Sequence, residues 1–199
     1  MINNLYYSRS GNSLRAVIAA MYSSEEVGFS YIDMSKNVQK SASFLRLNSR
    51  GQVPVLKTSE GSVLLQSGAI AEYFVRDTSL EITKSYDGSL IRQFCYSAVS
   101  DFAPPNAFAR YLSHHKDIDE WFKFRLLNLF SNDFDSLKRN DFLSGNNPSL
   151  ADVFHFPVAY MRQCLIQDAT DLQHVTIWIN RCLEIPEFNQ AVDIAGLVL

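Results

Sequence analysis

Short apolar runs alternate with helical patterns over the first 76 residues of the chain. Residues 4–8 form a β-prone run, and residues 29–33 alternate apolar and polar positions, so each segment predicts a strand. Between them, apolar side chains recur three and four positions apart, which predicts a helix that begins at Ser13 with this serine as its N-cap. The apolar face of this helix consists of Leu14, Val17, Ile18 and Met21.

The next part of the chain predicts a second helix, a hairpin and a third helix. Residues 41–47 are typical of a short helix, and residues 53–57 and 62–65 are β-rich runs joined by a turn that contains Gly61. Residues 66–67 open the third helix. The order β-α-β-α-β-β-α implies a parallel first strand pair, to which the hairpin adds antiparallel strands in the same sheet.

The second half of the chain carries no convincing strand pattern. The polar segment 77–88 is the predicted linker, and residues 90–99 follow a helical period that the prolines at 104–105 are expected to end. Residues 117–137 are apolar over more than one face, which predicts a helix deep in a bundle. This half is therefore predicted to be all-helical.

Two further positions mark helix starts in this half. Residues 149–152 (SLAD) form a variant of the capping box, in which the serine and the acid satisfy each other's backbone N–H groups. Pro186 suits the first turn of a short last helix.

Composition and charge exclude several classes of protein. The chain has 199 residues, 47% of them hydrophobic, and a net charge of −3, which allows a real core and gives no basic surface for nucleic acid or an anionic membrane. Three widely spaced cysteines argue against a disulfide framework and favour a reducing compartment. Neither a secretory signal nor a span of ~18–20 apolar residues is visible. We expect a soluble, cytoplasmic protein with no nucleic-acid or membrane partner.

Three motifs together resemble the cytosolic glutathione transferase superfamily. They are residues 51–56 (GQVPVL), residues 65–73 (LQSGAIAEY), and residues 142–145 (FLSG) followed by the capping box at 149–152. The resemblance implies the glutathione transferase fold, in which a thioredoxin-like α/β domain is followed by an all-helical domain. We accordingly predict an N-terminal domain over residues 1–76 and a C-terminal domain over residues 89–199.

The resemblance also implies a glutathione site in the N-terminal domain. In the family the proline that matches Pro54 is cis, and the backbone before it, here Gln52 and Val53, holds the cysteinyl part of glutathione. Gln66 and Ser67 open a helix, whose free N–H groups and positive dipole end suit the γ-glutamyl carboxylate. The structural alternatives are that Val53 and Pro54 shape the edge of the sheet and that Ser67 only caps its helix.

A transferase must also stabilise the thiolate of glutathione, because a free thiol is mostly protonated at neutral pH. The candidate donors near the end of the first strand are Tyr7, Ser10, Asn12 and Ser13. In an ungapped comparison with serine-type members the serine position falls on Gly11, whereas Asn12 matches the cysteine of a bacterial class. Asn12 and Ser10 are the catalytic candidates, and their alternative role is in turn formation and helix capping.

A second resemblance points to translation. Residues 14–23 (LRAVIAAMYS), with residues 44–46 (FLR), resemble the transferase-like domains of the elongation factor 1-gamma family and of some aminoacyl-tRNA synthetases. Those domains act mainly as docking modules. The resemblance implies a homodimer or pairing with another transferase-like domain, and translation-factor or aminoacyl-tRNA synthetase partners.

Other clusters add less. His114 and His115 lie near two acids, Asp117 and Asp119. No third ligand is spaced to bind one ion together with the histidines, so no metal site is predicted. Three aromatic residues are candidates to line an electrophile cleft, with the bundle core as the alternative. Two arginines are candidates to neutralise a glutathione carboxylate, and for Arg15 the alternative is an ion pair on the surface. The aromatic candidates are Phe102, Phe108 and Tyr111, and the arginines are Arg15 and Arg110.

Two functions therefore stay open. The first is a transferase-fold docking protein of the translation machinery, and the second is an active glutathione S-transferase that conjugates glutathione to hydrophobic electrophiles. No cofactor is predicted, and glutathione would be a ligand or co-substrate.

Overall fold

The computed structural model describes residues 2–111 and 116–197, with side chains described throughout except for Tyr86 and residues 109–119. The chain packs as two compact units. The first contains the chain up to Glu81 together with the segment from Pro186 onward, and the second runs from Ile82 to Ile185. The predicted domains at 1–76 and 89–199 differ from these units because the last helix packs with the first unit.

The secondary structure follows the predicted order. The strands are β1 (Asn3–Tyr7), β2 (Val27–Tyr31), β3 (Val55–Lys57) and β4 (Val63–Leu65). The helices are α1 (Gly11–Tyr22), α2 (Ala42–Leu47), α3 (Ser67–Val75), α4 (Tyr86–Ser97), α5 (Ala103–Tyr111), α6 (Lys116–Asp133), α7 (Leu150–Met161), α8 (Gln163–Gln167), α9 (Gln173–Glu184) and α10 (Pro186–Ala195).

The first unit is built on one four-stranded sheet in the order β2-β1-β3-β4. The β1–β2 pair is parallel, and the other two pairs are antiparallel, as predicted. Side chains alternate between the two faces, so Tyr6 and Val55 pack with Phe44 of α2, whereas Leu5 and Leu56 are fully buried on the opposite face.

Helix α1 is buried on all sides rather than on one face. Every side chain from Ser13 to Ala20 is buried, because α1 packs against both α3 and α10. The predicted start of this helix is wrong: it begins at Gly11, and the N-cap is Ser10, whose Oγ accepts a hydrogen bond from the N–H of Ser13. Ser10 adopts the extended backbone of a cap, with φ −153° and ψ 153°.

Two predictions for the second unit are corrected by its first helices. The prolines 104–105 do not end the helix; one π-helical turn, Ala98–Phe102, joins α4 to α5, and both prolines lie in the first turn of α5. Proline is tolerated there because first-turn N–H groups need no helical partner. Helix α6 is not deeply buried, since Trp121 and Phe124 are 58% and 64% exposed.

The core of the second unit is an aromatic cluster. Phe102 contacts Phe130 and Phe134 at ring-centroid distances of 5.1 and 5.6 Å, and Phe134 contacts Trp178 at 5.3 Å. Each of these side chains is fully buried. The cluster joins the π-helical turn, α6 and α9 into one packed body.

Asp152 ties the start of α7 to this core. The predicted capping box with Ser149 is present, and the Asp152 carboxyl accepts from the N–H of Ser149, the N–H of Leu143 and Nε1 of Trp178 at 2.9–3.0 Å. Burial raises the pKa of Asp152, and these donors, with the hydroxyl of Ser149, act against the rise. The carboxyl therefore joins three separate segments.

Within the described ranges, no helix combines the length and the apolar character that crossing a membrane would require.

Candidate functional site

Three segment ends meet at one edge of the sheet in the first unit. Val55, at the start of β3, pairs with Tyr6 near the end of β1 and with Leu65 at the end of β4. The residues just beyond these positions therefore lie at the same edge. They are the turn from Ser8 to Asn12, the pair Val53–Pro54, and the start of α3 at Gln66 and Ser67.

The segment before β3 has the geometry that the resemblance implies. The Val53–Pro54 peptide bond is cis. Asn48 shapes the preceding turn, since its Nδ2 donates to the carbonyl of Gln52 at 2.8 Å and its Oδ1 accepts from the N–H of Arg50 at 3.1 Å. Val53 is half-buried and Gln52 is exposed.

Gln66 has a strained backbone at the start of α3. Its φ is +72°, in the region that favours glycine, and it is the N-cap of α3 without a side-chain capping bond. Such strain costs about 1–3 kcal/mol and concentrates at ligand clamps. The side chain of Gln66 is exposed, and the next residue, Ser67, is buried.

A buried arginine links the start of α3 to the start of α1. Nη1 of Arg15 donates to Oγ of Ser67 at 2.8 Å and to Oδ1 of Asn12 at 3.1 Å. Arg15 is 1% exposed, whereas Asn12 is exposed. The structure thus brings together one predicted carboxylate-binding residue and one predicted thiol donor.

The hydroxyl of Ser10 is engaged within its own turn. Ser10 Oγ donates to Ser13 Oγ at 3.0 Å, and Ser13 Oγ also accepts from the N–H of Ser8 at 3.1 Å. A hydroxyl has one hydrogen, and that of Ser10 already goes to Ser13. Ser10 therefore acts as the helix cap, and the buried Ser13 connects Ser10 to the backbone of Ser8.

Tyr7 packs within the sheet. Its ring meets those of Phe29 and Tyr31 edge-on, at centroid distances of 6.2 and 5.7 Å. Partial burial, and to a smaller extent Tyr31, raises the pKa of the Tyr7 hydroxyl. Tyr7 therefore remains neutral near pH 7 and serves as a packing residue.

For Phe102 the structure favours the core alternative over the cleft. Phe102 belongs to the buried core, while Phe108 is 52% exposed and stacks on Phe122 at a centroid distance of 5.6 Å. The side chains of Tyr111, Arg110, Asp117 and Asp119, and both His114 and His115, lie outside the described residues. Among the side chains that the structure describes, none form a cluster of three or more metal ligands.

The bridge made by Arg15 was not predicted from the sequence, which offered charge neutralisation or a surface ion pair as the roles of Arg15. A signal was nevertheless present. Arg15 is the one charged residue between Ser13 and Ala20, a segment otherwise composed mainly of apolar side chains. A cation in a helix buried on all sides needs polar partners, and Ser67 is the polar residue at the start of α3, the helix packed against it.

Comparisons with known proteins agree with this geometry. The family model for the glutathione S-transferase N-terminal domain matches residues 4–76, and that for the glutathione S-transferase C-terminal domain matches residues 117–186. Elongation factor 1-gamma 2 of rice (Oryza sativa subsp. japonica) is 36% identical over 97 residues, which are 46% of this chain. This match spans 21% of the rice protein, so the chain corresponds to about a fifth of that relative's length.

Solved structures share the whole fold. The glutathione transferase URE2P6 of Phanerochaete chrysosporium, solved in complex with oxidized glutathione, has a TM-score of 0.88 at 18% identity and covers 99% of this chain and 97% of its own. A glutathione transferase homolog from Sulfitobacter, solved with bound glutathione, has a TM-score of 0.83 at 19% identity, with 99% of both chains covered. Two matching family models and this shared fold lead to one conclusion: the chain belongs to the glutathione S-transferase superfamily.

Proposed function

We propose that this protein binds glutathione at the sheet edge of its first unit. The observation that carries the proposal is the bridge from Arg15 to both Ser67 and Asn12, next to the Val53–Pro54 segment. The bridge joins a residue suited to a carboxylate with a residue suited to a thiol, and the γ-glutamyl and cysteinyl parts of glutathione carry these two groups.

The γ-glutamyl carboxylate is assigned to the start of α3. Gln66 and Ser67 place the first N–H groups of a nine-residue helix at this edge, where the positive end of the helix dipole favours an anion. The cysteinyl backbone is assigned to Val53, with Gln52 and Pro54 shaping the approach to it. The left-handed φ of Gln66 supports a ligand-binding role for this turn.

The thiol is assigned to Asn12 rather than to Ser10. The oxygen of the Asn12 amide faces Arg15, so its Nδ2 is the end that can donate to a thiolate. The single hydroxyl hydrogen of Ser10 already goes to Ser13. A glutathione S-transferase that acts on hydrophobic electrophiles requires this thiolate. If the protein is an enzyme, this is the activity that we propose for it.

Calorimetric titration with glutathione tests the binding directly. We expect saturable binding, and Ser67→Ala should weaken it roughly 10- to 100-fold because a buried hydrogen bond to a carboxylate is lost. The matched control is Ser62→Ala, at the opposite end of the same hairpin, which should leave the affinity unchanged. An affinity unaffected by Ser67→Ala would contradict the assignment of the carboxylate.

Ser10→Ala and Asn12→Ala are expected to have opposite consequences for the thiolate. Ser10→Ala removes a helix cap, so the free energy of unfolding should fall by about 1 kcal/mol while the protein still promotes the thiolate of bound glutathione. Asn12→Ala removes an acceptor of the buried Arg15, so it should also cost stability, but unlike Ser10→Ala it should abolish the thiolate signal. Urea denaturation and the ultraviolet absorbance of the thiolate measure the two effects. The reverse pattern would identify Ser10 as the donor.

A docking role in translation is the second candidate, and the rice elongation factor 1-gamma relative favours it. Light scattering with the purified nucleotide-exchange subunit of elongation factor 1 would test it. A stable complex that forms in the absence of glutathione would support docking, and two separate species at micromolar concentration would count against it. A cytoplasmic location belongs to this proposal.

A polar groove on α4 suits pairing with a second copy or with another transferase-like domain. The groove has a volume of about 670 Å³ and is lined by residues of both charges, including Arg92, Asp101 and Asp133. Arg92 of one copy can therefore face an acid of the other across a two-fold axis. Tyr96, which is 66% exposed, lies in the same groove. We expect a dimer in light scattering that Tyr96→Glu dissociates; a monodisperse wild-type monomer would contradict it.

A further inference from the structure

A single buried guanidinium contacts both ends of the proposed glutathione site. The hydrogen bonds from Nη1 of Arg15 to Ser67 and to Asn12 measure 2.8 and 3.1 Å. Both bonds carry the charge of the donor, which makes them stronger than neutral hydrogen bonds. Arg15 is 1% exposed and Ser67 is buried, so water competes little for the bond between them.

These contacts also fix the direction in which each partner donates. The oxygen of Ser67 accepts from Arg15, which leaves the one hydroxyl hydrogen to point to another acceptor. The oxygen of Asn12 accepts from the same nitrogen, which turns the Nδ2 donors of that amide away from the guanidinium. One arginine thus sets the polarity of two donors on different helices.

We infer that Arg15 is a positioning residue that orients Ser67 and Asn12 together. It thereby couples binding of the glutathione carboxylate to stabilisation of the glutathione thiolate. The inference rests on the glutathione binding proposed above. Because Arg15 acts through the two other side chains, its effect is indirect, and loosening either contact changes the geometry of the other.

The first variant is Arg15→Lys, which keeps the positive charge. The ammonium of lysine ends one bond short of the Nη1 position and lacks the planar guanidinium, so it cannot hold both oxygens in the same geometry. We expect glutathione affinity to fall roughly 10- to 100-fold in calorimetry. The pKa of the bound thiol, read from thiolate absorbance across pH, should rise by about one unit toward the free value of about 8.5.

The second variant, Ser67→Ala, keeps the coupling testable if Arg15→Lys does not fold. Ser67 is assigned to the carboxylate and not to the thiol. At saturating glutathione, the coupling nevertheless predicts that Ser67→Ala raises the pKa of the bound thiol, because Arg15 loses its contact with the start of α3. A change in affinity without a change in the thiol pKa would overturn the inference.

A matched control is available in the second unit. Arg162 donates from Nε to Oδ1 of Asn106 at 2.7 Å and from Nη2 to the Asn106 carbonyl at 3.0 Å. Arg162→Lys therefore disturbs a similar arginine–asparagine contact that involves none of the residues assigned to glutathione, and it should change neither the glutathione affinity nor the thiol pKa. An equal effect of Arg162→Lys would show that general destabilisation explains the result.

The outcomes separate the two proposals. If the wild-type protein does not bind glutathione, both the proposed function and the coupling are wrong. If it binds glutathione and Arg15→Lys and Ser67→Ala leave the thiol pKa unchanged, the function stands and the coupling is wrong. A rise of the thiol pKa in either variant, with the control unaffected, supports both.

Discussion

Asp152→Ala is expected to lower the free energy of unfolding of the second unit by about 3–5 kcal/mol. The substitution removes a fully buried carboxyl that accepts hydrogen bonds from Leu143, Ser149 and Trp178. Four buried donors, which are two backbone N–H groups, one indole N–H and the hydroxyl of Ser149, would lose their acceptor. The capping box of α7 would also be lost.

Urea denaturation followed by tryptophan fluorescence measures this effect, because both tryptophans, Trp121 and Trp178, lie in the second unit. Asp152→Asn keeps one acceptor oxygen, so its denaturation midpoint should lie between those of the wild type and Asp152→Ala. The exposed Asp135, which pairs with Lys138 on the surface, is the control, and Asp135→Ala should change the denaturation midpoint little. Similar midpoints for both alanine variants would contradict the role given to Asp152.

Phe102→Ala is expected to destabilise the same unit by about 3–5 kcal/mol. Phe102 is fully buried and contacts Phe130, Phe134 and His155 at centroid distances of 5.1, 5.6 and 4.7 Å. Truncation would leave a cavity in a rigid aromatic cluster, and the lost contacts add to the lost burial.

Phe108→Ala provides the matched comparison for Phe102→Ala. Phe108 lies six residues further along and is 52% exposed, with one stacked partner, Phe122. Its truncation should cost about 1 kcal/mol or less. If Phe108→Ala were as damaging as Phe102→Ala in the same fluorescence experiment, the assignment of Phe102 to the core would be wrong.

The fold was predictable because its signals are local and agree with each other. The runs around Leu5 and Val55 are rich in β-prone residues, the turn at Gly61 closes a hairpin, and Ser149 with Asp152 marks a helix start. The errors came from tertiary packing. Serine is a residue type that often caps helices, which favoured Ser13. In the structure the Ser13 hydroxyl is buried and bonded to the N–H of Ser8, and Ser10 is the cap. The prolines at 104–105 break an ideal helix, but a π-helical turn accommodates them.

Sequence motifs can suggest candidate site residues, but they do not encode the contacts between them. The candidates form two pairs of adjacent residues, Val53–Pro54 and Gln66–Ser67, and each pair lies within one short motif. A motif can therefore suggest them. The bridge from Arg15 to Ser67 spans 52 positions, and no local pattern encodes it. The same limit applies to the choice between Ser10 and Asn12, which depends on where each hydrogen bond goes.

A titration of glutathione with the protein near pH 6.5, followed by ultraviolet absorbance of the thiolate, decides whether the protein binds and activates glutathione. We expect a saturable thiolate signal that Asn12→Ala abolishes and Ser10→Ala retains. Calorimetry on the same samples separates binding from thiol activation. If saturating glutathione produces neither heat of binding nor thiolate absorbance, the claim that the protein binds glutathione is contradicted, and the docking role is the remaining function.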